Sequence, residues 1–233
     1  MSLFYTKIDK LYGIILKKYS FGEGHASFVV LDSMKGKLEI FSFGSDREKS
    51  RRRSILLVSN LIEGLIYCPK SAEYWSLKEV NLVRQYLNIK RNLKRLAYMY
   101  LLLEVVDLFL DFEELLPSSL FDNIVFSFEM LDKENEYEKY VFYTIFHFFK
   151  DEGILPWISN IEILSTYLDE AKKKFTIGDG SKRFIIDILE INNIKQIRSK
   201  KISNSVINNL LDFISIIVEK ERKVKINSLN LFI

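Results

Sequence analysis

Residues 25–44 read HASFVVLDSMKGKLEIFSFG. Two β-rich runs, HASFVVL at 25–31 and KLEIFSF at 37–43, flank the short polar segment DSMKG. Such runs, joined by a glycine-containing turn, predict an antiparallel meander. The second run alternates, with Leu38, Ile40 and Ser42 on one face and Glu39, Phe41 and Phe43 on the other. Upstream, YGIILKK at 12–18 is another β-rich run, followed by the turn-like FGEG at 21–24. Downstream of Gly44, SDREKSRRRS at 45–54 is too charged for a core strand and reads as a loop entering a short helix. LIEGLIYC at 61–68 and YWSLKEV at 74–80 are two further strands across the turn signal PKSA at 69–72. Five short strands with one insertion between the third and fourth match an OB-fold, a five-stranded barrel. An SH3-like barrel has a similar strand count.

From residue 82 the period changes. Leu82, Tyr86, Leu93, Leu96, Tyr100 and Leu103 recur at helical spacing, and two helices are expected to meet near residues 89–92. Pro117 restarts the chain, with Ser118 or Ser119 as N-cap. Helices are expected at 120–132 and 136–152, stopped by Gly153 and Pro156. A weak helix at 160–172, a GDGS turn at 178–181 and helices at 182–190 and 203–220 complete the pattern. The expected fold is α+β: a five-stranded OB-fold barrel over residues 1–81, then an all-α helical domain over 82–233.

The composition is that of a folded protein, with 48% apolar and 28% charged residues among 233. The 18 Phe and 12 Tyr can build a sizeable core. Cys68 is the single cysteine, which excludes an intrachain disulfide and a four-cysteine zinc site. The longest apolar run, at 96–110, contains Glu104 and Asp107 and is shorter than the roughly 20 residues a membrane span needs. No signal peptide is legible at the N-terminus, and a cytoplasmic protein with no membrane partner is expected. Net charge is +3, but the charge is segregated. Residues 84–95 carry five Lys/Arg and no Asp/Glu, whereas residues 96–138 carry one against eleven. A basic front half and an acidic middle point to a polyanionic partner for the first part, against the plain alternative of solvated faces.

No set of residues reads as catalytic. Glu104, Asp107 and Asp111 share a helix face but lack the ExxH partners of a di-iron site. His25 and His147 each lack an evident partner, and Cys68 lacks an activating cation. GEG at 22–24 and GDGSK at 178–182 match neither a dinucleotide fingerprint nor a P-loop. No cofactor and no metal are expected. What remains is basic. Lys17 and Lys18 end the first strand, Lys35 and Lys37 flank Gly36, and Arg47, Lys49, Arg51, Arg52 and Arg53 follow the third strand. In a barrel these are expected near one rim. Arg84, Lys90 and Arg91, with Lys94 and Arg95, would extend the track onto the first helix. Tyr19, Phe41 and Phe43 lie among them and could stack on bases, or be core.

The stretch at 19–53 resembles the N-terminal region of the bacterial RecO recombination-mediator family. The matching positions are Tyr19, Gly22, Glu23, Gly36, Lys37, Gly44, Arg47, Lys49 and Ser50. Residues 74–110 are similar to that family's passage into its helical domain, through Arg95, Leu96, Ala97, Tyr98, Tyr100, Leu101, Leu102, Glu104 and Asp107. FYTIFHFFKDEGILP at 142–156 is similar to a third family segment, with Gly153 in register. There are two departures. The family's four-cysteine zinc module has no cysteine here, and Tyr143 stands where the family has an acid.

The resemblance implies a non-enzymatic protein of the RecF pathway of DNA repair and recombination. It would bind single- and double-stranded DNA, anneal complementary strands, and contact the C-terminal tail of single-strand-binding protein. With RecR it would help load RecA, and it would be associated with the nucleoid. The tail site is expected on the helical domain, as an apolar pocket with a cationic rim. The competing expectations are a protein–protein scaffold whose basic loop is incidental, and an enzyme built on the 104–111 carboxylates.

Overall fold

A computed structural model describes residues 7–68, 74–117, 119–155 and 177–232. The chain divides into two compact units, Met1–Tyr86 with Leu110–Leu116, and Leu87–Phe109 with Pro117–Ile233. Periodicity places the boundary at 81/82; the chain leaves the first unit after Tyr86 and returns to it for residues 110–116.

The first unit is a closed five-stranded barrel in the order β1-β2-β3-β5-β4. Its strands are β1 (Lys7–Phe21), β2 (His25–Asp32), β3 (Gly36–Ser42), β4 (Leu61–Cys68) and β5 (Trp75–Arg84). A short helix, α1 (Arg52–Ile55), sits between β3 and β4, as the OB-fold expectation requires. β1 is longer than its sequence pattern predicts because its two halves serve different edges. Gly13–Phe21 pairs with β2, and Lys7–Ile14 pairs with β4, with a register shift between Ile15 and Lys17. A short parallel contact, Ile40 to Trp75 and Phe41 to Ser76, closes the barrel. β5 continues to Arg84, so Leu82 belongs to a strand and not to the helix that its spacing suggests.

Alternation fills the barrel. Leu11, Ile15, Phe28, Val30, Leu38, Ile40, Ile62, Ile66 and Leu77 point inward, and Leu56 beyond α1 joins them. The outer face of β3 is covered at its first residues by 110–116. Lys37 carbonyl accepts from Glu113 N–H at 2.9 Å. Gly36 permits the approach: its φ is +77°, and a Cβ there would lie 1.8 Å from the Glu114 carbonyl oxygen.

The second unit is helical: α2 (Leu87–Lys90), α3 (Leu93–Phe109), α4 (Leu120–Lys133), α5 (Glu138–Asp151), α6 (Asp179–Glu190) and α7 (Asn204–Arg222). Short 3₁₀ segments follow at Ile194–Ser199 and Asn227–Phe232. α3 is buried around most of its circumference, from Ala97 to Phe109, which marks a central helix. The GDGS segment is not a free turn: Gly178 precedes α6 and Asp179 starts it. α7 begins where Ser203 Oγ accepts from Val206 N–H at 3.3 Å, and ends at Lys223 in a left-handed conformation. The expected helix at 160–172, and the segment where the family's zinc module would fall, lie outside the described residues. Among the described residues, no helix is long and apolar enough to cross a membrane.

One face of α5 closes the C-terminal end of α6, where Ile191 N–H caps Ile188 O and side chains of α5 meet the last carbonyls. Tyr143 Oη donates to Ile191 O at 3.0 Å, and Lys150 Nζ donates to Leu189 O at 3.2 Å. His147 Nε2 lies 2.9 Å from Ile188 O. A carbonyl can only accept, so the His147 proton sits on Nε2. The ring stacks on Tyr143 at 4.0 Å between centroids. Tyr143, in the position of the family's acid, is therefore a structural clasp, and burial pushes its hydroxyl up to about 12.

Two outcomes follow from these contacts. Gly36→Ala should destabilise the protein by more than about 1 kcal/mol, because the new side chain is strained and meets Glu114; a denaturant melt measures it. Burial holds the His147 imidazole below its ordinary proton affinity, so the unfolded chain binds this proton more tightly. Stability from this group is thus full above the free-histidine value of 6.5 and declines as pH falls below it. Thermal melts between about pH 7.5 and 5.5 should show the decline, and His147→Phe should reduce it.

Candidate nucleic-acid interface

Consecutive hairpin turns lie at opposite ends of a sheet, and this separates the predicted basic residues. The β1–β2 turn, Gly22–Gly24, is at one end, where Phe21 pairs with His25. The β2–β3 turn is at the other, where Asp32 pairs with both Gly13 and Gly36. Lys35 and Lys37 therefore do not share a rim with Lys18 and Arg47. Lys35 is tied down by Lys10 O at 2.7 Å, Asp9 at 3.4 Å and Asp32 at 3.8 Å. Lys37 is only 7% exposed. Its Nζ donates to Leu110 O at 3.0 Å and sits 4.7 Å from the Phe112 ring centre. The expectation that Lys37 faces a polyanion is corrected: its ammonium is consumed inside the fold.

The loop after β3 is stitched to the β1–β2 turn. Gly44 N–H donates to His25 Nδ1 at 2.9 Å, Asp46 N–H to Gly24 O at 2.9 Å, and Arg47 Nε to Glu23 O at 3.3 Å. Gly24 has φ +76°, and a Cβ there would lie 2.5 Å from Arg47 Cγ. The close approach thus needs glycine, and it sets Arg47 over the turn with its side chain exposed. Lys49, Arg51 and Arg53 are exposed in the same segment.

Asp46 is the half-buried counter-charge of this end, beside the exposed Glu23 and Glu48. Its carboxylate takes Lys18 Nζ and, at 2.5 Å, Ser20 Oγ, with Arg53 Nε at 3.9 Å. The hydrogen bond from Lys18 is the main reason that Asp46 titrates below the ordinary aspartate range. Lys18 is thus neutralised locally. Arg52 donates to Lys78 O at 2.6 Å. Lys17 is half-buried on β1 opposite Val29, and Arg84 is exposed at the end of β5, on a strand. Lys90 and Arg91 belong to the helical unit. Arg91 is exposed, and burial lowers the proton affinity of Lys90. The structure brings Arg47, Lys49, Arg51 and Arg53 together with Lys18; the other nine, with Lys94 on Glu138 and Arg95 on Leu131 O, lie elsewhere or are engaged.

Aromatic side chains crowd the same end. Ser27 pairs with both Tyr19 and Phe41, and His25 pairs with Phe21 while contacting Phe43. The outer face of β1–β3 therefore carries two cross-strand rows, Tyr19–Ser27–Phe41 and Phe21–His25–Phe43. Ring centroids are 5.8 Å apart for Phe21–His25, 5.4 Å for His25–Phe43, 6.4 Å for Phe21–Phe41 and 5.0 Å for Phe41–Tyr74. Phe43 is 56% exposed, Tyr19 51%, Phe21 44% and Tyr74 42%. Sequence reasoning flags Tyr19, Phe41 and Phe43 but passes over Phe21, His25 and Tyr74. Strand register brings Phe21 and His25 to the others, and a ring contact with Phe41 adds Tyr74. Beyond Tyr74 the surface opens into a cavity of about 270 Å³ lined by Trp75, Phe112, Glu39 and Glu113.

Of the 104–111 carboxylates, Glu104 and Asp107 lie on α3. Glu104 accepts from Asn227 N–H and Ser228 N–H, both at 2.8 Å, and so anchors the last 3₁₀ segment. Asp111 lies past the end of α3 in the other unit. A pocket is lined by Leu93, Tyr98, Ile207 and Leu211, with Lys94 at its edge and Phe232 packed on Tyr98 at 4.7 Å. Lys94 also pairs with Glu138 at 2.7 Å.

Comparison with known proteins finds no matching family model. DNA repair protein RecO of Caldicellulosiruptor saccharolyticus is 22% identical over 249 aligned positions, spanning 94% of this chain and 96% of that protein. DNA repair protein RecO of Exiguobacterium sibiricum is 24% identical over 173 positions, 74% of this chain and 68% of its own length. The chain is RecO-like. A third RecO, from Caldicellulosiruptor bescii, is 28% identical over 112 positions, 46% of this chain and 43% of that protein. The RecO resemblance read from residues 19–53, 74–110 and 142–156 thus holds against named relatives.

Asp46 restrains the positive field of the RecO-like barrel. Asp46→Asn should release Lys18 and Arg53 and raise affinity for a short DNA strand at low salt several-fold; fluorescence anisotropy measures the gain.

Proposed function

We propose that this RecO-like chain is a DNA repair and recombination protein that works by binding nucleic acid, without chemistry on it. The observation that carries this is the meeting, at one end of an OB-type barrel, of the exposed cations Arg47, Lys49, Arg51 and Arg53 with the aromatic rows of β1–β3. OB-folds bind oligonucleotides on the face of strands 2 and 3 and on the β1–β2 and β4–β5 loops, and here the loop after β3 is bonded to the β1–β2 turn. Cations neutralise phosphates irrespective of sequence, and the strand displaces condensed counterions as it binds.

The finer roles belong to the same proposal. Neutralising both of two complementary strands lowers their repulsion, which is what strand annealing needs. The Leu93–Tyr98–Ile207–Leu211 pocket has the apolar floor and the lysine edge expected for the tail of single-strand-binding protein. Cooperation with RecR in loading RecA, and association with the nucleoid, rest on the RecO likeness. A scaffold role finds support in the same pocket, but it leaves the exposed arginines of residues 47–53 without a task.

Replacing Arg47, Lys49, Arg51 and Arg53 together with Ala should weaken binding to unrelated single strands alike. The log–log salt slope, near −0.7 per phosphate neutralised, should flatten by about 2–3. Anisotropy titrations at several salt concentrations measure both. An unchanged slope would remove this loop from the interface; absence of any DNA binding by the unaltered protein would favour the scaffold.

A further inference from the structure

We propose that the aromatic rows on the outer face of β1–β3 form a base-stacking platform for unpaired nucleotides. It would let the barrel distinguish a single strand from a duplex. This rests on the nucleic-acid reading above and adds what the cations cannot supply. Phosphate contacts are blind to pairing, because both kinds of strand present them, whereas a π-face is open only on a base that has left its own stack.

The geometry supports this in three ways. First, the rings are solvent-exposed where a strand face would ordinarily be polar or covered. Phe43, Phe21 and Tyr74 stand out although the same barrel buries Phe28 almost completely. Second, the rings are held in place. His25 is the centre of one row: it accepts from Gly44 N–H through Nδ1 and touches both Phe21 and Phe43, and Phe21 touches Phe41 of the other row. The Phe21–Phe41, Phe41–Tyr74 and His25–Phe43 contacts are edge-to-face. In that arrangement neighbouring rings hold one another by edges and faces and need no covering layer. Third, cations border the platform. Arg47, whose Nε donates to Glu23 O, stands over the turn between Phe21 and His25, and Lys49 is exposed in the same loop. A strand laid on the platform therefore has cations within reach of its phosphates. A folded protein partner would be indifferent to whether nucleobases are present.

Two measurements test the platform. With the unaltered protein, a single-stranded oligonucleotide is compared with one of equal length carrying abasic sites at every position. The abasic strand keeps the charge and should bind about five- to a hundredfold more weakly. In the second, Phe21→Ala, Phe43→Ala and Tyr74→Ala are titrated against a single strand and a blunt duplex. Each should lose roughly fivefold or more on the single strand while leaving the duplex affinity and the salt slope in place. Phe43→Trp, which keeps a stacking face, should bind like the unaltered protein, and its fluorescence should be quenched by the normal strand and not by the abasic one. Equal binding of normal and abasic strands overturns the platform and leaves the cationic interface standing. Parallel losses on single strand and duplex also overturn it. Failure of the unaltered protein to bind either form overturns both proposals.

Discussion

The double pairing of β1 is the constraint on which the first unit depends. One 15-residue strand gives one half to β2 and the other to β4, so the sheet curls until β3 meets β5. Closure leaves few free edges and divides the strand faces into an inside and an outside. The inside is filled by branched and aromatic side chains. The outside is then available for two uses. Where residues 110–116 lie on it, it absorbs even a lysine. Where they do not, it presents rings and arginines.

Electrostatics in this barrel is settled by partners rather than by counts. Lys18, Lys35, Lys37 and Arg52 are as cationic in composition as Lys49 or Arg51, yet each already has an acceptor inside the fold. A cation with such an acceptor would have to give it up to take a phosphate, so it adds less to affinity. In the loop after β3, Arg47 and Arg53 also have partners, Glu23 O and Asp46, but their side chains stay exposed together with those of Lys49 and Arg51. The same logic explains the helical unit. Lys139 donates to Arg198 O at 2.7 Å and Lys200 O at 2.9 Å, and Lys150 serves α6, so much of that unit's positive charge ends loops and helices.

The order of elements was legible because it rests on local periodicity and turn chemistry. The runs at 25–31, 37–43 and 61–68, the acidic and glycine turns between them, and the helices after Pro117 all declare themselves within a few residues. The misplacement at Leu82 has a physical cause. A strand that is half exposed at its far end, as β5 is, carries too few alternating apolar residues to outweigh a helical spacing that begins just beyond it. The GDGS segment misled for a related reason, since glycine and aspartate favour turns and helix starts alike.

Residue types and their alternation therefore determined the fold class, the inward faces, the basic loop at 45–54 and the likeness to RecO, because each is written in neighbouring positions. The tertiary structure alone decided which cations are spent on carbonyls and carboxylates, and which aromatic rings stand together. Those outcomes depend on register between strands and on the return of residues 110–116 to the barrel. They join Lys37 to Leu110, and Phe41 to Tyr74, across separations in the chain that no local pattern spans.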